Sequence, residues 1–180
     1  MPSILDTTVG GATANSYADA AFATAYFATR REPGAWRQDS TEQEKLLLAA
    51  MKPLEARLRK GAWGMRASST QRLLFPRKED ASASAFYDAD GLQWASNAIP
   101  TPIKEAQCEI ALAMADGRYP IGGKAEAVLE KQLPDKTRTE YGAGGSQAMQ
   151  LPQVVEDLLA PFLALAPTAG SFAVANIANW

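Results

Sequence analysis

Apolar residues recur at helical spacing in four stretches of the chain. In the first, Phe22, Ala23, Tyr26 and Phe27 follow Asn15-Ser16, which predicts a capped helix from Tyr17 to about Thr29. Alanines at 18, 20, 21, 25 and 28 permit close approach of another helix, and the aromatics read as core. In the second, Leu47, Met51, Leu54 and Leu58 form one continuous stripe, with Lys45, Lys52 and Arg59 every seven residues on the opposite side. Ser40 and Gln43 make a capping box, and Gly61 ends a helix expected over 41–60. Pro53 deletes a backbone donor inside it, which predicts a bend near 50–53 or a division into two pieces.

The third stretch opens with Thr101 as cap and Pro102 at the first helical position, and runs to about Asp116 before Gly117. Ile103, Ala106, Ile110 and Ala113 face a core, while Lys104, Glu105, Glu109 and Asp116 face out. The fourth follows Leu151-Pro152 over 153–164, with Val155, Leu158, Leu159 and Phe162 inward and Pro161 near its end. Between these lie a Gly10-Gly11 turn, a polar connection over 62–71, and Leu73-Leu74-Phe75, a strand or a pinned extended segment closed by Pro76. Phe86 to Gly91 reads as a tight turn, Ala125 to Leu129 as a helical turn, and Glu130 to Tyr141 as a polar β-hairpin. The expected fold is mainly α: a small bundle of about four helices, a short hairpin at about 130–141, and an extended C-terminal tail. The helical domain spans 1–166 and the tail 167–180.

Composition narrows the chemistry. The chain has no histidine and a single cysteine, Cys108, so Ser-His and Cys-His nucleophile pairs are excluded, as is an internal disulfide. Cys108 reads as a small buried thiol. Glu105 and Glu109 are a carboxylate pair at i,i+4, a spacing common on exposed helix faces. Asp88-x-Asp90-Gly91 lacks the remaining ligands of a calcium loop, and Gly122-Gly123-Lys124 lacks a phosphate-loop frame. The reading is therefore a protein without enzymatic activity, cofactor or metal. A secretory start and a membrane-length apolar run are both lacking in the sequence, which predicts a soluble protein made in a cytoplasm.

Charge is uneven. Residues 30–78 carry 12 Lys/Arg against 5 Asp/Glu, although the whole chain has a net charge of −2. Such a segment marks a nucleic-acid surface, a basic face that meets the acidic face of a neighbouring subunit, or a plain solvated face. For nucleic acid the ingredients are Trp36 and Trp63 interleaved with Arg30, Arg31, Arg37, Arg57, Arg59, Lys60 and Arg66. The end of the chain is the opposite case. Its last 23 residues, from Leu158, hold no ionisable side chain and finish on Trp180. Such a tail folds back on its own domain or adds to a partner's surface or sheet edge.

The order of segments resembles the tailed-bacteriophage head-to-tail adaptor (connector, head-completion) proteins, a group that includes proteins labelled DnaT-like single-stranded-DNA-binding. The matching residues are Ala14-Asn15-Ser16-Tyr17, Ala25-Tyr26-Phe27, Trp36, the helix from Leu46 to Arg59, and Leu74-Phe75-Pro76-Arg77. They continue with Tyr87 to Gly91, Ile99-Pro100, Ile103 to Ala106, Thr137 to Tyr141 and Leu158 to Phe162. Pro53 departs from that pattern, and the tail lies beyond it. The resemblance implies a structural virion protein at the head–tail junction, made in the host cytoplasm. It would assemble with itself as a ring, typically twelvefold, between the portal protein and a tail-side connector or tail protein. Viral DNA would pass through the ring without sequence-specific binding. On that resemblance, Lys45, Lys52, Arg59 and Arg66 become an inter-subunit basic face, and Phe172, Val174, Ile177 and Trp180 a portal-binding tail. The other reading is a single-stranded nucleic-acid-binding protein.

Overall fold

A computed structural model describes residues 3–30, 34–36, 39–59, 64–78, 95–119 and 151–163. Within them the chain is mainly α: α1 (Ala20–Ala28), α2 (Ser40–Arg59), α3 (Thr101–Ala115) and α4 (Gln153–Leu163). A single 3-10 turn, Gly34–Trp36, and a two-residue antiparallel ladder, β1 (Met65–Arg66) with β2 (Arg77–Lys78), complete the described elements. The helical character matches the sequence pattern. The observed ladder falls partly in the stretch read as a polar connection. The hairpin expected at 130–141, the turn at 86–91, the helical turn at 125–129 and the tail at 167–180 lie outside the described residues.

The centre of the bundle is α3, which packs most extensively against α2 and next against α4. Every residue from Ala106 to Met114 is buried, so α3 is a core helix on all sides rather than an amphipathic one. This corrects the outward placement of Glu109, whose side chain is 6% exposed. Burial is tolerated because the carboxylate is partnered: Arg30 pairs with it, and the Tyr26 hydroxyl donates to it at 2.8 Å. Around α3, α2 contributes Leu47, Leu54 and Leu58, and α4 contributes Val155, Leu159 and Phe162, all fully buried. Each such side chain stabilises the fold by roughly 1.5–3 kcal/mol relative to exposure.

Gln107 ties three segments together at the middle of this core. Its Oε1 accepts from the Tyr17 and Ala18 backbone N–H groups at 3.0 and 2.9 Å. Its Nε2 donates to Ser16 Oγ at 2.7 Å and to the Leu47 carbonyl at 2.9 Å. The Tyr17–Ala18 backbone is thereby held as a bend against α3, and α1 starts later than the apolar pattern suggests. The cap is Asp19, which accepts from the Phe22 N–H at 2.7 Å. Asn15 is unavailable for capping because it closes the preceding loop: it accepts from the Asp6 N–H at 2.7 Å and donates to the Ile4 carbonyl at 3.0 Å.

Two other helix starts shift by one residue. At α2 the cap is Asp39, whose side chain accepts from the Thr41 and Glu42 N–H groups at 2.9 and 3.0 Å. Gln43 instead donates to the Trp36 carbonyl at 3.2 Å. At α3 the boundary residue is Pro100, and Thr101 is the first helical residue, with no side-chain cap. Pro53 sits within one unbroken α2, so the helix is not divided. At the other end of α3, Gly117 adopts the left-handed conformation, φ 70°, that stops the helix.

Candidate nucleic-acid interface

The C-terminal half of α2 and the segment 64–78 build one basic edge. Leu73, Leu74 and Phe75 are buried there, as a pinned segment rather than a strand. Gln71 does the pinning from inside. Its Nε2 donates to the carbonyls of Leu73 at 2.9 Å, Leu74 at 3.3 Å and Pro76 at 2.9 Å, while its Oε1 accepts from the Ser68 N–H at 3.0 Å. From α2, buried Glu55 accepts from the Leu74 N–H at 3.2 Å and from the Tyr17 hydroxyl, which itself accepts from the Phe75 N–H at 3.1 Å. Burial, and then the charge and hydrogen bond of Glu55, hold the Tyr17 hydroxyl well above its usual pKa. Phe75 packs edge-on against Tyr17 and against Phe162 of α4, at centroid distances of 6.3 and 5.7 Å. The loop is thus a rigid mount, and its two ends come together as the ladder.

Cations collect on that mount. Among the described residues the ion pairs are Arg30–Glu109, Lys45–Glu42, Arg57–Glu156, Arg59–Glu55 and Arg118–Asp116. Lys52, Arg66, Arg72 and Lys78 are exposed and enter none of them. Arg66 donates to the Gln71 carbonyl at 3.4 Å and Arg72 to the Thr13 carbonyl at 3.5 Å, contacts that place the guanidiniums without cancelling their charge. Arg59 is two-thirds exposed and only 4.0 Å from Glu55, a weak pairing. Arg77 is half-buried and donates to the Gly64 carbonyl. Burial is the main cause that lowers its pKa; Arg66 lowers it further, against the pull of Tyr17 and Glu55.

The expected basic-face residues are therefore divided. Arg59 and Arg66 belong to this edge, with Lys52 two turns of α2 earlier. Lys45 lies about 21 Å from Arg59 along the helix, by the rise of 1.5 Å per residue, and pairs with Glu42 at 2.6 Å. Of the residues considered for single-strand binding, two arginines are neutralised. Arg57 grips Glu156 through Nε and NH2 at 2.9 and 2.7 Å, and Arg30 is held by Glu109 over the Tyr26 and Phe27 rings. Trp36 is no stacking platform: it is 4% exposed, with its ring 4.9 Å from Phe27. Arg31, Arg37, Lys60 and Trp63 lie outside the described residues, as do Phe172, Val174, Ile177 and Trp180. Arg72, Arg77 and Lys78 were missed by the sequence reading; their signal is that cations bracket the apolar run Leu73-Leu74-Phe75 on both sides.

Chemically, this edge offers charge without base-specific geometry. Exposed cations over a fixed ladder are chemically suited to phosphate groups, and Met65, next to Arg66 in sequence, is an apolar side chain 45% exposed. Among the described residues no cluster of metal-ligating side chains is present, and no helix is long and apolar enough to cross a membrane. No curated protein and no solved structure matches the chain. One family does, over residues 1–177, a span that takes in both the basic segment and most of the uncharged tail. The chain belongs to that family, described as "Putative DnaT-like ssDNA binding protein".

Proposed function

We propose that this protein binds single-stranded nucleic acid through phosphate contacts along the edge formed by α2 and the β1–β2 ladder. The observation that carries the reading is the cluster of Arg66, Arg72 and Lys78, exposed and outside every ion pair among the described residues. The family description points the same way. The role is non-enzymatic. Binding driven by phosphates is strongly salt-dependent and indifferent to sequence. A labelled single strand titrated by fluorescence anisotropy at stepped salt tests it. The triple variant R66Q/R72Q/K78Q should lose at least tenfold in affinity, whereas K45Q should stay near wild type. No binding by the wild-type protein even at low salt would eliminate the reading.

A second reading, favoured by the ordered motifs from Ala14 to Phe162 and by the uneven charge, is a subunit of a phage head-to-tail adaptor ring. In that setting the protein resides in the virion at the head–tail junction, joining the portal protein to a tail-side protein. The same basic edge would then face a neighbouring subunit or the DNA in the channel, and the tail after 166 would hold the portal. Mass measurement of the purified protein with and without portal separates the two. A ring that forms on portal, and fails to form once 167–180 is deleted, supports the adaptor; a monomer indifferent to portal removes it.

A further inference from the structure

We infer that Tyr17 and Glu55 are positioning residues of the strand-binding edge: their side chains set how the basic loop 64–78 sits on the bundle, and so how tightly a strand binds. The inference deepens the reading above and rests on it. The loop is held by two sets of hydrogen bonds that differ in reach. Those of the Gln71 side chain lie within the loop, to Ser68, Leu73, Leu74 and Pro76. They stiffen the loop without fixing where it points. Those of Glu55 and Tyr17 cross to the bundle. Glu55 Oε1 accepts from the Leu74 N–H at 3.2 Å and from the Tyr17 hydroxyl, whose oxygen accepts from the Phe75 N–H at 3.1 Å. Tyr17 is fixed at its other end as well, because its own N–H donates to Gln107 Oε1 at 3.0 Å. One residue thus connects the central helix to the loop. Arg72 also reaches out of the loop, to the Gly11 and Thr13 carbonyls, but those acceptors lie on the N-terminal segment and not on a helix.

Stability alone does not require this pair. Leu73, Leu74 and Phe75 are buried, and apolar burial holds a loop down without directing it. A carboxylate as buried as Glu55, 9% exposed, is costly unless it is fully partnered. What its hydrogen bonds add is orientation. The cations lie on either side of the two fixed amides: Arg72 is two residues before Leu74, and Lys78 is three after Phe75. Arg66 touches the Gln71 carbonyl at 3.4 Å. Tyr17 and Glu55 both act on the charge of Arg77, which places them close beneath the ladder. On α2, Arg59 follows Glu55 by one turn. Fixing the loop against α2 therefore fixes the cations of the ladder relative to those of the helix. A strand that touches both meets a surface already in shape, and no affinity is lost to ordering it.

The test compares the full chain with its Y17F, E55L and E55Q variants, by salt-stepped anisotropy with a labelled oligothymidylate, well below every melting point. Y17F keeps the ring that packs edge-on against Phe75 and removes only the oxygen. Its affinity should fall about three- to tenfold, the effect of one lost hydrogen bond. The slope of log affinity against log salt should stay unchanged, because no phosphate contact is lost; removing a cation would reduce it by about 0.7. E55L should also bind more weakly, although it removes a negative charge from beneath the edge. E55Q keeps an acceptor at Oε1 and should bind at least as tightly as wild type. A merely structural role would lower the melting points of Y17F and E55L and leave their affinities unchanged. That result overturns the inference while strand binding stands. A reduced slope in Y17F, or E55Q as weak as E55L, overturns it too. If the wild-type protein binds no strand even at low salt, the functional reading falls and this inference falls with it.

Discussion

Replacing Gln107 with leucine tests the centre of the fold. The side chain is fully buried and makes four hydrogen bonds, to Tyr17 N, Ala18 N, Ser16 Oγ and the Leu47 carbonyl. Leucine has a similar volume but none of these partners. Ser16 Oγ still donates to the Ala18 carbonyl at 2.6 Å, and the Leu47 carbonyl still accepts within its helix, so those losses are small. The Tyr17 and Ala18 N–H groups are left buried without acceptors, at about 1–3 kcal/mol each. Extra apolar burial offsets about 1 kcal/mol. The expected net loss is about 1–5 kcal/mol, a large part of the roughly 5–15 kcal/mol that holds a domain together. Urea unfolding followed by tryptophan fluorescence reads this as a midpoint lowered by about 0.5–2.5 M, using a slope of about 2 kcal/mol per molar. Glutamate at the same position adds a signed pH dependence. When protonated it keeps both acceptor bonds and regains one donor bond. Burial raises its folded pKa above the unfolded value of about 4.3, so the variant is closest to wild type below about pH 4.3 and weakens as pH rises. A leucine variant within about 0.5 kcal/mol of wild type would show that the clamp does not hold the Tyr17–Ala18 segment.

Further outcomes follow from the buried ionisable groups. Burial pushes the Cys108 thiol from 9.0 up to about 12. A raised folded value means its contribution is complete below about pH 9 and is lost as pH climbs toward 12, worth about 4 kcal/mol at the top. Cys108→Ala should flatten stability between pH 9 and 10, before Tyr17 adds its own alkaline loss; identical curvature in the two proteins would contradict the assignment. Glu109→Gln should cost about 1–2 kcal/mol in urea unfolding, since it removes the charge that holds Arg30 in a partly exposed pair. Glu105→Gln, one turn earlier and half-buried, should stay within about 0.5 kcal/mol, and equal effects at the two sites would argue against the buried pair.

What was legible in the sequence depended on whether an element has one buried side. The stripe of α2 and the inward set of α4 are periodic because each faces the core once, and the structure buries Leu47, Met51, Leu54, Leu58, Val155, Leu159 and Phe162 as the spacing implies. The helix α3 has no outside over most of its length. Period logic assigns its polar residues to solvent, whereas Gln107 and Glu109 are core groups whose partners sit on α1, α2 and the N-terminal segment. The unbroken apolar run 110–115, with small Ala106 and Cys108 before it, is the signal that the helix is central. The ladder carries no such signal, since two residues are too few to show alternation and the pairing is imposed from Gln71.

The same long-range logic decides where the charge ends up. A count along the chain finds the basic segment but not its neutral members, because the acids that cancel Arg30 and Arg57 come from positions 79 and 99 residues away. Folding brings α3 and α4 against the arginines that lean toward the bundle and consumes their charge there. The segment 64–78 stands at the margin that those acids do not reach, and Glu55, the carboxylate that touches it among the described residues, is already occupied by Tyr17 and Leu74. Positive charge therefore survives on the ladder as a consequence of the packing. A protein that is slightly acidic overall thus presents one basic edge, and that edge is carried by a loop pinned from within by Gln71.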